Sequence, residues 1–193
     1  MSYEVKTLYG ENRYMNFMET TSPDGKKWVY AKRVNTKGVV IILPLIMDLD
    51  EPATIFLKTK RPPLLAEKIA EYNIEFPAGL VADENPNETF DDALKKELLE
   101  EVGMVAKEFV IKTDLLSTSA GCVSEISTVA VAKIANSKVV QEPVSDGGVI
   151  QERILVRISE IKEFLKNCQN NSWTVGAQTI SGIYYLLEEL EVF

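Results

Sequence analysis

An α/β domain built on a mixed sheet, with a small antiparallel β extension at its N-terminal end, is the fold class that this 193-residue sequence predicts. Three observations carry that expectation. The run Val39-Val40-Ile41-Ile42-Leu43-Pro44-Leu45-Ile46-Met47 is apolar throughout, as a strand buried on both faces would be. Strand-like and helix-like apolar periods alternate along the chain instead of segregating. One helix is marked at both ends, by Thr89 as N-cap with Asp92 three residues on and by Gly103 as its stop.

The elements follow in order. Residues 1 to about 35 are polar and aromatic. The turn Ser22-Pro23-Asp24-Gly25 separates residues 13–19 from 27–33, which reads as an antiparallel hairpin too small to be stable alone. Residues 38–47 and 53–60 are expected as two central strands. After Arg61-Pro62-Pro63 comes a helical pattern over residues 64–72, then Ile74-Glu75-Phe76-Pro77-Ala78-Gly79 and the well-marked helix. Strands are expected again at 109–116, 126–134 and 154–158, and helices at 159–167 and 174–190. In the last helix Ile180, Ile183, Tyr184, Leu186, Leu187 and Leu190 read as core packing. No internal repeat or low-complexity tract interrupts the chain.

Composition narrows the chemistry. With 46% hydrophobic and 26% charged residues the chain is ordinary globular material, but its formal net charge of −8 repels phosphate backbones. Broad binding of DNA or RNA is therefore not expected, and an enzyme of this charge acting on a polyanion would need cations in its site. Met1-Ser2-Tyr3-Glu4-Val5-Lys6 has no apolar signal core and no run is long enough to span a bilayer, so a soluble, cytoplasmic protein without a membrane partner is expected. There is no histidine, and Cys122 and Cys168 form no CxxC pair. These facts exclude a usual zinc site, a histidine-based triad and a disulfide framework. Carboxylates, lysines, hydroxyls or an oxygen-bound metal remain.

The helix after Thr89 carries Lys96-Glu97-Leu98-Leu99-Glu100-Glu101-Val102-Gly103. At about 100° per residue, Glu97 and Glu101 lie one turn apart with Glu100 beside them, on the edge next to the Leu94, Leu98 and Val102 stripe. Like charges so spaced disfavour a helix by roughly 0.2–0.5 kcal/mol per pair, and a bound cation reverses the sign. A bare string of this kind is more often a solvated acidic face than a site. Hard divalent ions such as Mg²⁺, however, prefer oxygen ligands and keep water in their remaining positions, which suits phosphoryl chemistry.

Residues beyond the helix favour the site. From Glu88 through Met104 the chain resembles the Nudix signature G-x5-E-x7-R-E-U-x-E-E-x-G-U, where U is bulky and apolar. Seven residues separate Glu88 from Lys96, and Lys96 to Met104 follow in register. Two departures are visible: the loop over residues 80–87 is three residues longer than the pattern, and Lys96 replaces an arginine and its bidentate fork. Over residues 13–160 the chain is similar to the ADP-ribose pyrophosphatase branch. The marks are Arg61-Pro62-Pro63, Glu75-Phe76-Pro77-Ala78-Gly79 and Ser119-Ala120-Gly121-Cys122-Val123-Ser124-Glu125. Ala120 stands where that branch has proline, and the 64–72 segment is longer than in many relatives.

The resemblance implies a Nudix fold, a mixed sheet sandwiched between helices (α/β/α), with residues 1–37 as a β hairpin and dimerisation region and residues 38–193 as the catalytic domain. It implies hydrolysis, dependent on Mg²⁺ or alternatively Mn²⁺, of the pyrophosphate bond in a nucleoside diphosphate linked to a second group. ADP-ribose, giving AMP and ribose 5-phosphate, is the first expectation. Other nucleotide sugars or dinucleotides, such as GDP-mannose or NADH, are the alternative, and a non-catalytic ligand sensor is a second one. The Ala78 carbonyl, Glu97 and Glu101 are expected to bind metal with Glu100 assisting, and Glu88 to pair with Lys96. Glu152, in the segment before the last strand, is the expected base, with Glu101 and Glu100 completing the catalytic set. Trp28 and Tyr14 match positions that stack on adenine, and Arg33 and Arg61 match positions that contact the ring or phosphates. N-terminal strands exchange between subunits in that branch. A homodimer is therefore expected in which Tyr14 or Trp28 reaches the neighbouring site.

Overall fold

The apolar run read as a doubly buried strand is one, and its two faces feed two separate cores. The computed structural model describes residues 4–9 and 14–192; Arg13, the expected first residue of the hairpin, lies outside the described residues. In chain order the elements are β1 (Glu4–Tyr9), β2 (Met15–Thr21), β3 (Lys27–Arg33), β4 (Gly38–Ile46), β5 (Ala53–Thr59), α1 (Pro62–Ala66), β6 (Asn73–Glu75) and β7 (Ala78–Val81). Then come α2 (Phe90–Val102), β8 (Glu108–Ser117), β9 (Ile126–Ile134), β10 (Ile150–Arg157), α3 (Ile161–Asn170), β11 (Thr174–Val175) and α4 (Ala177–Glu189).

The main sheet runs β11-β6-β5-β4-β9-β8, with β10 also beside β5 and β7 also beside β4. It is mixed, as expected: β4 and β9 are parallel from Val39↔Ser127 to Ile46↔Ile134, while β8, β10 and β7 pair antiparallel with their neighbours. Along β4 the side chains alternate between faces. Val39, Ile41, Leu43 and Leu45 pack with Phe56, Phe76, Val131, Ile161, Ile183 and Leu186 under α3 and α4. Val40, Ile42 and Ile46 pack with Ile55, Leu94, Leu98, Val102 and Ala132 under α2. That two-sided burial makes the α/β/α sandwich and explains why β4 has no polar face.

β2 and β3 form the expected hairpin, in register from Met15↔Arg33 to Thr21↔Lys27, and β1 adds a third strand along β2. The small sheet leans on the main domain through β3: Ala31 N donates to Cys122 O at 2.8 Å and Ser124 N donates to Ala31 O at 3.2 Å. Among the described residues no helix is long and apolar enough to cross a membrane.

Three expected elements differ. The helical pattern over 64–72 yields only α1, because Pro62 and Pro63 can open a helix but Lys68, at φ 56°, turns the chain out of it. The strand expected at 154–158 starts earlier, at Ile150, because its pairing with β5 extends back to Thr59. The last helix starts at Ala177, because Thr174 and Val175 add a parallel edge to β6.

We expect Leu98→Ala, at a side chain with 1% exposure, to destabilise the protein by about 2–5 kcal/mol in denaturant unfolding. Leu115→Ala, at 78% exposure, should stay within about 0.5 kcal/mol of wild type. Equal effects would contradict the assignment of the α2 face to the core.

Candidate active site

The site is built where α2 meets β7. Helix α2 opens with a full capping box, in which Thr89 Oγ1 accepts from Asp92 N at 3.1 Å and Asp92 Oδ2 accepts from Thr89 N at 3.1 Å. It closes at Gly103, in the left-handed conformation at φ 77°, whose N–H returns to Leu99 O at 2.9 Å. With both ends fixed and Ala93, Leu94, Leu98 and Val102 buried, the rotation of the helix is set. Glu97 and Glu101 then face the backbone of β7. Glu101 Oε2 accepts from Ala78 N at 2.9 Å. Glu97 lies so close to Gly79 that a Cβ there would stand 2.0 Å from its carboxyl carbon, so any side chain at position 79 would displace the Glu97 carboxyl.

Both carboxyls are out of water, and this dominates their chemistry. Burial pushes Glu97 up to about 7 against the pull of Lys96, with Glu100 adding to the rise. Burial pushes Glu101 up to about 8 against the Ala78 N–H, with Glu97, Asp146 and Glu75 adding to the rise. Glu88 goes the other way: the Ala82 N–H, at 2.7 Å from its Oε2, and then Lys96, at 2.9 Å from its Oε1, hold it below the usual carboxylate range. The expected Glu88–Lys96 pair is therefore present. Lys96 Nζ also reaches Glu97 Oε1 at 3.5 Å.

Glu97 and Glu101 open into a cleft of about 520 Å³. Its lining adds Asp83 from the loop after β7, Asp146 from the loop before β10, Arg33 and Arg61 together with Glu125 and Glu75, and, from the start of α4, Gln178 and Thr179. Each arginine is held by a carboxylate. Arg33 Nε donates to Glu125 Oε2 at 2.6 Å. Arg61 pairs with Glu75: Nε donates to Oε2 at 3.2 Å, Nη2 stands 2.5 Å from Oε1 as an ion pair, and Asn73 Nδ2 donates to the same Oε2 at 2.8 Å.

The structure thus brings Ala78, Glu97, Glu101, Arg33 and Arg61 into one cleft. Glu100, Glu152, Trp28 and Tyr14 are not among the residues lining it. Glu152 lies 3.6 Å from Lys58 Nζ, and its strand neighbour Arg153 is the residue that reaches α2, at the Glu101 carbonyl. Successive side chains of a strand face opposite ways, so Glu152 is turned from α2. Trp28 and Tyr14 are exposed on the N-terminal sheet, and Trp28 Nε1 donates to Gly121 O at 2.8 Å. Asp83, Asp146 and Gln178 were not expected. The Asp146-Gly147-Gly148 turn was the legible signal for one of them, since such a tripeptide marks a sharp reversal.

The donor set can be tested against a hard divalent cation. Among the described residues no three acidic, histidine or cysteine side chains form a ready cage. Mg²⁺ does not need one, because it binds through one or two carboxylates and keeps its other positions for water and phosphate oxygens. Two desolvated glutamates beside the backbone of β7 match that requirement.

No protein-family model matches the chain, and no curated protein matches it. Solved structures do. An ADP compounds hydrolase is 18% identical, with a TM-score of 0.62 over 97% of this chain and 92% of that one. The Nudix domain of NrtR from Shewanella oneidensis, solved with ADP ribose, is 10% identical, with a TM-score of 0.56 over 79% of this chain and 86% of that one. An Ap4A hydrolase from C. elegans, solved as a binary complex, is 16% identical, with a TM-score of 0.50 over 80% of this chain and 99% of that one. At these identities the likeness is one of fold: the chain has the mixed α/β Nudix-like fold with an added N-terminal sheet.

The carboxyl shifts have a sign that can be measured. Folded protein keeps protons on Glu97 and Glu101 that the unfolded chain, with its ordinary value of 4.5, has already lost. That stabilisation is complete below about pH 4.5 and disappears as pH rises through about 7 and about 8. Without metal, calorimetry should show wild type losing stability relative to the Glu97→Gln/Glu101→Gln variant between about pH 5 and about pH 9. Added Mg²⁺ should raise Tm more at about pH 8.5 than at about pH 6, because it competes with those protons. Parallel pH profiles for the two proteins would contradict the burial of the charges.

Proposed function

We propose that this protein is a Mg²⁺-dependent pyrophosphohydrolase acting on a nucleoside diphosphate linked to a second group, with ADP-ribose as the preferred substrate. The observation that carries this reading is the pair of desolvated glutamates, Glu97 and Glu101, in a cleft that Arg33 and Arg61 also line. Carboxylates that attract a divalent ion, and guanidinium groups in the same cleft that can donate to phosphate oxygens, suit one ligand: a diphosphate bridged to a metal. The nucleotide compounds named for the solved structures, ADP compounds, ADP ribose and Ap4A, all carry linked phosphates.

Glu97, Glu101 and the Ala78 carbonyl would hold the ion, with Glu100, which does not line the cleft, adding only its nearby negative charge. When bound, it supplies polarisation of the phosphoryl oxygen and a more acidic water. Arg61, aimed by its ion pair with Glu75, and Arg33, aimed by Glu125, would hold the substrate's phosphates and ring. Water adds to one phosphorus, the bridging P–O bond breaks, and AMP and ribose 5-phosphate leave. We assign the proton of that water to Asp146, the carboxylate of the loop before β10 that lines the cleft, in place of Glu152, which does not. The exposed Trp28 and Tyr14 are proposed to meet the adenine across a homodimer, in which the N-terminal sheets, with Phe17 and Val29 also exposed, cover each other.

The test is chromatographic detection of AMP from ADP-ribose with Mg²⁺, beside a panel including GDP-mannose and NADH; ADP-ribose should give the highest kcat/KM. Glu97→Gln and Asp146→Asn should each lower kcat by about 10²–10⁴-fold, and Glu152→Gln by less than about threefold. Ligand binding without any product would leave a binding module instead of an enzyme. Sedimentation at micromolar concentration should give twice the monomer mass, and Phe17→Lys/Val29→Lys should return it to one.

A further inference from the structure

Helix α2 ends in carbonyls that the helix itself cannot satisfy, and one segment of chain takes up most of them. Gly103 N closes on Leu99 O. Val144 N donates to Glu100 O at 2.7 Å, and Val140 N donates to Gly103 O at 2.8 Å. Arg153, on β10, donates through Nε to Glu101 O and through Nη2 to Val144 O. The contact is tight enough that a Cβ on Gly103 would stand 2.3 Å from Gln141 O. The same segment runs on into the turn Ser145-Asp146-Gly147-Gly148, where Gly148 N and Ile150 N both return to Ser145 O, at 3.1 and 3.0 Å. Asp146, Gly147 and Gly148 all take positive φ, at 47°, 62° and 89°, and Asp146 emerges into the cleft with Glu101.

We infer that Arg153 is a positioning residue: by gripping the Glu101 and Val144 carbonyls together, it locks the 140–149 loop to the end of the metal helix and fixes Asp146 relative to Glu101. This rests on the proposed hydrolase reading for its catalytic consequence, but not for the mechanical one. The planar guanidinium is what the task needs. Its donors diverge in a rigid fork and can hold two carbonyls from different segments at once, which a lysine ammonium on a flexible stem does not reproduce. Its charge also sits favourably at the negative end of the helix. The two held carbonyls belong to the elements whose relative placement matters: Glu101 on the helix, and Val144 two residues before Asp146.

The experiment compares wild type, Arg153→Met, Arg153→Lys, Asp146→Asn and the Arg153→Met/Asp146→Asn double variant. Amide hydrogen exchange is read first, because it needs no turnover. Arg153→Met should speed exchange across residues 140–149 by about tenfold or more while the amides inside β4 and β9 keep wild-type rates. Unchanged loop exchange overturns the proposal. Turnover of ADP-ribose is read second. Arg153→Met should lower kcat by about 100-fold with KM within about twofold, and the double variant should be no slower than Asp146→Asn alone. Losses that multiply in the double variant would mean that Arg153 does not act through Asp146, and would also overturn it. Guanidinium ion added to Arg153→Met should restore part of kcat, whereas Asp146→Asn should not respond. If Arg153→Met does not fold, Arg153→Lys carries the same two comparisons. If wild type releases no AMP, the hydrolase reading fails, and loop exchange alone decides the role of Arg153.

Discussion

Close apposition of α2 and β7 is the constraint on which the rest of this structure turns. Two carboxylates must leave water and lie against a strand backbone, and burial of that kind is unfavourable unless hydrogen bonds or a cation compensate. The protein supplies little compensation of its own. Glu101 has one backbone N–H, and Glu97 has a lysine at 3.5 Å that is already engaged by Glu88. What holds the arrangement is the remainder of the helix: a capping box at one end, a left-handed glycine at the other, and a stripe from Ala93 to Val102 fixed in the core under β4. The stability of the sandwich thus keeps an electrostatically unfavourable pair in place, which is the condition in which a divalent ion gains most from binding.

Features that announce themselves in sequence are those whose cause is local or periodic. The two-sided burial of β4 was readable because every position from Val39 to Met47 is apolar, and the limits of α2 because Thr89, Asp92 and Gly103 act through their own backbone neighbours. The facing of Glu97 and Glu101 followed from helical geometry alone. The short strands β6, β7 and β11 were not readable: at two to four residues they have no period, and they exist because β4, β5 or each other offer a free edge. The 64–72 pattern misled because apolar spacing says nothing about Lys68 adopting φ 56°.

The same distinction separates the parts of the site. Arg33 and Arg61 were singled out by resemblance to a family, since nothing in the local sequence shows that Glu125 and Glu75, 92 and 14 residues away, will aim them. Glu152, the expected base, lies on the face of its strand turned from the cleft. One residue of phase in a β-strand exchanges Glu152 for Arg153, and it is Arg153 that reaches α2. Asp146 escaped notice because its position depends on a glycine turn and on hydrogen bonds to the end of a helix more than 40 residues earlier in the chain.

The two departures from the signature are physically one feature. The loop after β7 is three residues longer than the pattern, and its first turn places Ala82 at φ 66°, a left-handed conformation that costs a non-glycine residue about 1–2 kcal/mol. Ala82 is held there by Glu88, whose Oε2 accepts its N–H at 2.7 Å. Glu88 is in turn held by Lys96 at 2.9 Å, and Lys37 Nζ donates to its carbonyl at 3.0 Å. An arginine at position 96 would offer a planar fork to Glu88 and Glu97 together. A lysine offers one ammonium, closer to Glu88 than to Glu97. In this chain the cation is therefore committed first to pinning the enlarged loop, which brings Asp83 to the cleft, and only second to Glu97. Glu97 keeps only the longer contact with that ammonium, and burial leaves its proton affinity raised in spite of it.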